Sequence, residues 1–287
     1  MVLRPPGLGV LTGRRLAVWG DPIDHSISPR VHAAAYRVLG LDWEYGRERV
    51  DEASFAARLA ALGERWRGLS LTMPLKGVAF AAAETRDRSA ELTGAVNTLL
   101  LEPGGPRGFN TDVGGIVRAL AEEGVAAAAR ARIVGAGATA TSALVALWSI
   151  GAREVEVVAR RTEAVTPLRG LGERLGVTVT AAGFDAPRLD PVDLTVATLP
   201  GGATVTDAAA AALAASGGPL LDVVYGHWPT VLSQAWERAG ATAWTGAGML
   251  LHQAVLQVRV FTQGDPAAVL PAEDDVVAAM RSALVGD

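Results

Sequence analysis

The stretch of sequence that most constrains the fold lies between residues 131 and 150. An apolar segment, ARIV, precedes the loop GAGATA, and an apolar segment with helical spacing follows. Small residues permit a tight turn and let the main chain approach a pyrophosphate, which meets the unpaired N–H groups at the helix start. The predicted dinucleotide-binding loop comprises Gly135, Ala136, Gly137, Ala138 and Thr139. An ordinary glycine-rich turn between a strand and a helix is the alternative interpretation.

Strands and helices are predicted to alternate on both sides of this loop. After it, apolar segments predict strands near residues 155–159, 177–181, 194–197 and 220–224, and a last strand near Trp244. Before it, strands are predicted at residues 15–20, 43–45 and 68–72. Alternation with crossovers of this length is typical of parallel sheets that helices cover on both faces.

A length of 287 residues suits two domains. We predict an α/β protein whose N-terminal α/β substrate domain, residues 1–111, is completed by a C-terminal helical return, residues 246–287. Residues 112–245 are predicted to form a Rossmann-like parallel-sheet domain that binds a dinucleotide. Two alanine-rich segments, residues 126–129 and 208–212, are interpreted as helical because alanine has the highest helix propensity.

Composition argues against several functions. A net charge of −4 leaves no basic excess for a phosphate backbone, so we expect a small-molecule substrate and no nucleic acid. Without cysteine there is no disulfide or thiolate metal site, and the four histidines lack His-x-x-x-His spacing. The uncharged residues 133–152 carry glycines and hydroxyls that favour a strand, a turn and a helix over a membrane span. Because residues 1–15 lack a continuous apolar stretch, we expect a cytoplasmic protein.

The residues about 20 positions after the glycine loop predict which dinucleotide binds. An NAD-binding unit usually carries an acidic residue there, whereas this chain has Arg160, Arg161 and Thr162. Two guanidiniums and a hydroxyl at the end of a predicted strand suit a ribose 2′-phosphate. We therefore predict NADP in preference to NAD, with a pair of solvated surface arginines as the alternative.

Lys76 is the one lysine among 26 basic residues. It follows the predicted strand at residues 68–72, and ligands of open α/β sheets bind beyond the carboxyl ends of strands. Arginine stays protonated, whereas a partly buried lysine can lose its proton and act as a general acid or base. Lys76 is thus a candidate catalytic residue. The alternative is a lysine left by chance in an arginine-biased sequence.

Five segments together carry a family resemblance. They are HSISP at residues 25–29, SLTMPLKG at 70–77, GAVNT at 94–98, GFNTD at 108–112 and GAGMLLHQA at 246–254. In this order around a Rossmann-like unit, they resemble the shikimate dehydrogenase family over residues 17–254. Five motifs in register make the resemblance more specific than any single motif.

The resemblance implies reversible reduction of 3-dehydroshikimate to shikimate by NADPH, in a monomer or homodimer. Lys76 and Asp112 are the implied catalytic pair, with Lys76 as the general acid and, in the reverse direction, the base. The implied substrate-binding residues are Ser26, Ser28 and Tyr225 for the carboxylate, and Thr72, Asn97, Asp112 and Gln253 for the ring hydroxyls. The implied cofactor-binding residues add Val223 and Gly246 to the glycine loop and to Arg160, Arg161 and Thr162.

The chain departs from the family pattern at four places. Ser70 and Arg160 each replace a usual asparagine, Ala138 replaces a common glycine, and VATLP at residues 196–200 replaces a segment with Asn-Ala-Thr-Ser. Two alternatives stay open, a quinate/shikimate dehydrogenase that uses NAD and a non-catalytic NADP-binding sensor of the same fold. Arg160 and Arg161 argue against the first, and the pair of Lys76 and Asp112 distinguishes an enzyme from the second.

Overall fold

A computed structural model of the protein describes residues 13–186 and 188–285. These residues form two compact units. The first contains residues 13–90, 94–109 and 254–285, and the second contains residues 91–93 and 110–253 without residue 187. Residues 246–253 thus belong to the second unit, whereas we expected them in the first domain. Residues 1–12, part of the segment used to argue against a secretory signal, lie outside the described residues.

The first unit is built on a mixed sheet of six strands. These are β1 (Arg14–Gly20), β2 (Trp43–Arg49), β3 (Trp66–Leu71), β4 (Thr85–Arg86), β5 (Thr98–Leu100) and β6 (Arg107–Phe109). In the order β2-β1-β3-β5-β6-β4, β1 is parallel to β2 and β3, and β5 is antiparallel to β3 and β6. The helices before residue 94 are α1 (Ser28–Val38), α2 (Glu52–Ala60), α3 (Lys76–Ala82) and α4 (Arg88–Thr93). All three strands predicted in this region are present.

The second unit is built on six parallel strands, as predicted. They are β7 (Arg130–Val134), β8 (Glu154–Val158), β9 (Thr178–Ala182), β10 (Leu194–Ala197), β11 (Leu220–Asp222) and β12 (Ala243–Trp244), in the order β12-β11-β10-β7-β8-β9. Helix α5 (Thr111–Glu122) precedes β7, and the helices between the strands are α6 (Ala138–Ser149), α7 (Thr166–Leu175), α8 (Asp207–Ser216) and α9 (Val231–Arg238). The strand order reverses between β7 and β10, and open sheets bind ligands beyond the carboxyl ends at such a point.

Two helices, α10 (Ala247–Gln263) and α11 (Glu273–Val285), end the described chain. The first seven residues of α10 belong to the second unit because they pack closely on α5. A Cβ atom added to Gly115 would lie 2.8 Å from the Cβ of Gln253. The rest of α10 belongs to the first unit, where α11 packs against α1.

The uncharged residues 133–152 are divided among the end of β7, the glycine loop and the 12 residues of α6. The prediction of a strand, a turn and a helix is therefore confirmed. Within residues 13–186 and 188–285, no helix combines the length and the apolar character needed to cross a bilayer.

The two alanine-rich segments differ in structure. Residues 208–212 are helical as part of α8, which Thr206 caps by accepting a hydrogen bond from the Ala209 N–H at 3.2 Å. Residues 126–129 are not helical, so that prediction is wrong. The preceding helix ends at Glu122, Gly124 follows it with a φ of +81°, and a segment of four residues is too short to nucleate a helix alone.

A buried aromatic stack lies in the core of the first unit. His32 of α1 has no exposed surface and stacks on Tyr45 of β2, with ring centroids 4.0 Å apart and ring planes at 12°. Its Nδ1 lies 3.2 Å from the hydroxyl of Tyr36, and its Nε2 lies 3.2 Å from Oε1 of Gln257. Burial disfavours the imidazolium and lowers the pKa of His32 to about 3, although the hydrogen bond to Gln257 acts in the opposite direction.

The low pKa of His32 predicts a loss of stability in weak acid. An unfolded histidine, with a pKa near 6.5, binds a proton between about pH 6.5 and pH 3 that folded His32 does not bind. The contribution of His32 is therefore fully present above this range and is lost as the pH falls, by about 1.4 kcal/mol per unit. Urea unfolding between pH 7 and pH 5 should show this slope, which should be reduced in His32→Asn. The variant His25→Asn, at an exposed position, is the control and should keep it.

Candidate active site

Polar residues gather at the carboxyl edge of the sheet in the first unit. Because β1 and β3 are parallel neighbours, the segments that follow them leave the sheet at the same edge. Ser26 and Ser28 follow β1, and Thr72 and Lys76 follow β3. Strand β5 runs antiparallel to β3 and begins at this edge, directly after Asn97. The fold therefore brings these five predicted site residues to one edge.

Lys76 is the first residue of α3 and is half-buried. The turn before it is closed by a hydrogen bond from the N–H of Leu75 to the carbonyl of Thr72 (2.8 Å), and the N–H of Thr72 donates to Trp19 (3.0 Å). Leu75 is fully buried, and the N–H of Val96 donates to the carbonyl of Lys76 at 3.0 Å. The main chain that carries the amine is thus held on both sides.

The first turn of α1 carries the two predicted serines. Ser28 is the first helical residue, and Ile27 occupies the cap position, where its apolar side chain cannot accept a hydrogen bond. The hydroxyl oxygen of Ser26 accepts from the N–H of Ser28 at 3.4 Å, and Arg47 donates to the carbonyl of Ser26 at 3.2 Å. Pro29 lies in the first turn, where the missing N–H of proline costs no hydrogen bond within the helix. The two serines therefore flank the start of the helix.

Asn97 is held by its main chain and by its side chain. Its N–H donates to Phe109 (3.0 Å), and its carbonyl accepts from the N–H of Leu71 (2.7 Å). Its Oδ1 accepts a hydrogen bond from the hydroxyl of Thr98 at 2.8 Å, and Asn97 is only 2% exposed. The side chain of Asn97 has little freedom to change its orientation.

In the second unit, Asp112 lies in the first turn of α5 and is buried. Asn110 caps this helix by accepting from the N–H of Asp112 at 3.1 Å. The amide of Asn110 donates to Thr93 (2.8 Å) and to Ser142 of α6 (3.1 Å). Asn110 thus holds the main chain at Asp112, whose carboxylate charge is favoured at a helix start. We did not predict this residue, although asparagine before a helix is a recognisable cap signal.

The glycine loop joins β7 to α6 in the predicted manner. Gly135 has a φ of +113°, and a Cβ there would lie 2.7 Å from the hydroxyl of Thr198. Gly137 is the cap residue of α6, and no side chain in the described part of the chain caps the helix. Ala136 and Thr139 are half-buried, and Ala138 is exposed as the first residue of α6. The loop therefore presents main-chain N–H groups at a helix start.

One residue separates the end of the next strand, β8, from Arg160, Arg161 and Thr162. Because β7 and β8 are parallel and paired, these residues and the glycine loop leave the sheet at neighbouring strand ends. All three side chains are exposed. Among residues 13–186 and 188–285, neither guanidinium forms an ion pair. Both charges are therefore available to an anion.

Close packing explains why Gly246 is a glycine. A Cβ at this position would overlap the carbonyl oxygen of Val223, so two predicted cofactor-binding residues lie side by side. Asp222 directly precedes Val223 in the chain. Its buried carboxylate accepts a hydrogen bond from the hydroxyl of Thr230 at 2.8 Å, and burial raises the pKa of Asp222. Tyr225 follows in the same turn and is 42% exposed.

Gln253 lies near the middle of α10 and is largely buried. Its amide donates to the carbonyl of Leu250 at 2.9 Å. With Asp112 and Tyr225, Gln253 belongs to the second unit, whereas the other predicted substrate-binding residues belong to the first.

Comparisons with known proteins agree with these features. Residues 18–99 match the model of the shikimate dehydrogenase substrate binding domain. An NADP(+)-type shikimate dehydrogenase of Methanothermobacter thermautotrophicus is 33% identical over 269 residues, which cover 90% of this chain and 94% of that protein.

Solved structures lead to the same family. The shikimate dehydrogenase of Mycobacterium tuberculosis is 38% identical with a TM-score of 0.80, covering 93% of this chain and 98% of that one. The shikimate 5-dehydrogenase of Thermus thermophilus, solved in complex with NADP(H) and shikimate, is 29% identical with a TM-score of 0.77, covering 94% and 99%. The chain therefore belongs to the shikimate dehydrogenase family.

Proposed function

We propose that this protein is a shikimate dehydrogenase, which reduces 3-dehydroshikimate reversibly to shikimate with NADPH. The observation that carries the proposal is the gathering of Ser26, Ser28, Thr72, Lys76 and Asn97 at one sheet edge. Hydroxyls and an amide suit a carboxylate and ring hydroxyls, and an amine suits proton transfer to a reduced carbonyl. The names of the M. tuberculosis and T. thermophilus relatives support the same substrate.

The second unit offers features that fit NADP, whose reduced form, NADPH, would supply the hydride when bound. Gly135 and Gly246 leave no room for a side chain, and the start of α6 has main-chain N–H groups for the pyrophosphate. We propose that residues 135–139, Val223 and Gly246 hold the cofactor, and that Arg160, Arg161 and Thr162 hold its 2′-phosphate. The name of the Methanothermobacter relative supports NADP.

Lys76 is the proposed proton donor. As the carbonyl oxygen of the substrate gains negative charge, the ammonium of Lys76 donates a proton to it, and in oxidation the neutral amine takes that proton back. We propose that Asp112 accepts a hydrogen bond from the hydroxyl next to the reacting carbon and so orients the ring for the exchange with Lys76. Since arginine stays protonated, it could not take the place of Lys76.

The remaining side chains orient the substrate in this proposal. Ser26, Ser28 and Tyr225 donate to the carboxylate. Thr72, Asn97 and Gln253 bind ring hydroxyls. We also propose a cytoplasmic location, supported by a chain without cysteine, which suits a reducing compartment. A monomer and a homodimer are both compatible with the reaction.

A direct assay tests the function. Adding 3-dehydroshikimate to protein and NADPH should cause a loss of NADPH absorbance. NADP should be preferred to NAD, and shikimate to quinate. A preference for NAD and quinate would place the protein in the quinate-using branch. Binding of NADPH without turnover would instead identify a non-catalytic sensor.

Replacement of Lys76 should remove the proton donor without removing the cofactor site. We expect Lys76→Ala to lower kcat roughly 10²–10⁴-fold, the range typical of a lost general acid. Lys76→Arg should be similarly impaired because it keeps the charge but cannot exchange the proton. NADPH binding, measured by fluorescence titration, should be nearly unchanged in both variants. Full activity of Lys76→Ala would show that another group transfers the proton.

Replacement of the two exposed arginines should weaken NADPH selectively. We expect Arg160→Gln or Arg161→Gln to raise KM for NADPH about 10- to 100-fold, since a hydrogen bond to a charged group contributes about 1.5–3 kcal/mol. NADH lacks the 2′-phosphate, so its KM should change little. Arg153→Gln, at the opposite end of β8, is the matched control and should leave both values unchanged. Equal increases of KM for NADPH and for NADH would contradict the assignment of Arg160 and Arg161 to the 2′-phosphate.

A further inference from the structure

The main-chain carbonyl of Asn97 determines the orientation of a buried side-chain amide. Gln257 of α10 contacts this oxygen at 3.2 Å. Because a carbonyl oxygen can only accept, the contacting atom of Gln257 is its nitrogen, Nε2. The same nitrogen donates to the hydroxyl oxygen of Thr98, 3.0 Å away. The amide oxygen Oε1 of Gln257 therefore faces the other side.

Two hydrogen-bond donors contact the amide oxygen Oε1 of Gln257. Oγ of Ser70 lies 2.8 Å from it and Nε2 of His32 lies 3.2 Å from it. Ser70 donates to Gln257 and accepts from the hydroxyl of Tyr45 at 2.6 Å. His32 must carry its proton on Nε2, which leaves its Nδ1 to accept from the hydroxyl of Tyr36. The main-chain carbonyl of Asn97 thus determines the donor and the acceptor in each of these hydrogen bonds.

The hydroxyl of Thr98 determines the orientation of the Asn97 side-chain amide. Since the oxygen of Thr98 accepts from Gln257, its proton points to Oδ1 of Asn97 at 2.8 Å. If the Asn97 amide were turned over, Thr98 would face a donor, and its own proton would lose this acceptor. Both residues are buried, so water would not replace the lost bond. Oδ1 therefore faces Thr98, and Nδ2 lies on the opposite side of the amide.

We propose that Gln257 and Thr98 are positioning residues that make Asn97 a hydrogen-bond donor toward the substrate. The substrate atom that Asn97 recognises is then an acceptor, namely the oxygen of a ring hydroxyl and not its proton. The inference rests on the proposed function, because it takes Asn97 as a substrate-binding residue. It adds two residues to the determinants of substrate binding, and both act through Asn97.

A comparison of three variants tests the role of Thr98 in shikimate oxidation. Thr98→Val removes the hydroxyl with little change of shape and should raise KM for shikimate roughly five- to tenfold, with KM for NADP⁺ within about twofold of wild type. Thr98→Ser restores the hydroxyl and should restore KM. Thr262→Val is the matched control on α10, where the hydroxyl bonds main-chain carbonyls of the same helix, and it should leave both values unchanged.

A double-mutant cycle separates positioning from a general loss of stability. If Thr98 acts through Asn97, adding Thr98→Val to Asn97→Ala should change KM for shikimate by less than about twofold. An equal effect of Thr98→Val in both backgrounds would overturn the proposal. An unchanged KM in Thr98→Val alone would overturn it as well.

The direction of the hydrogen bonds can also be measured without turnover. In ¹⁵N NMR spectra near neutral pH, His32 should be a neutral ring with its proton on Nε2. A proton on Nδ1 would overturn the proposal, because the Gln257 amide would then be reversed. A wild-type protein that does not oxidise shikimate would contradict the proposed function, and the NMR spectra would still decide the direction of these bonds.

Discussion

The main-chain hydrogen bonds of Asn97 hold together the sheet edge on which the proposed substrate site is built. Its carbonyl accepts from Leu71 at the end of β3, and its N–H donates to Phe109 at the end of β6. The same carbonyl accepts from Gln257, which joins α10 to this edge. Since unmade buried hydrogen bonds are costly, the edge cannot open without a large loss of stability. The positions of the polar side chains follow from this main-chain geometry.

A different constraint shapes the second unit, where small residues keep the main chain accessible. Gly135 adopts a φ that side chains disfavour, and a Cβ atom at Gly246 would overlap the carbonyl oxygen of Val223. A side chain at either position would move the loops that follow β7 and β12. The start of α6, whose cap residue is Gly137, can then bind an anion with its own N–H groups. In the proposed cofactor site, recognition would depend on the absence of side chains at Gly135 and Gly246 as much as on Arg160 and Arg161.

Predictions from the sequence succeeded where the controlling residues are close together along the chain. The strand, glycine loop and helix at residues 131–150 follow from local spacing. Residues 126–129 show the limit of propensity, because alanines formed no helix once α5 had ended. The second unit ends at residue 253 and not at the predicted residue 245, because α10 packs on Gly115, a contact that no local pattern reveals. Thr98 and Gln257 were missed because 159 residues separate them.

The sequence by itself determined the alternation of strands and helices, the glycine loop, the two arginines after β8 and the single lysine, because these depend on residue type and local spacing. It also determined the family, through five motifs in register. Only the tertiary structure decided how the side chain of Asn97 is oriented. That orientation depends on which end of the Gln257 amide meets a carbonyl, and the two residues become neighbours only when α10 packs against the sheet.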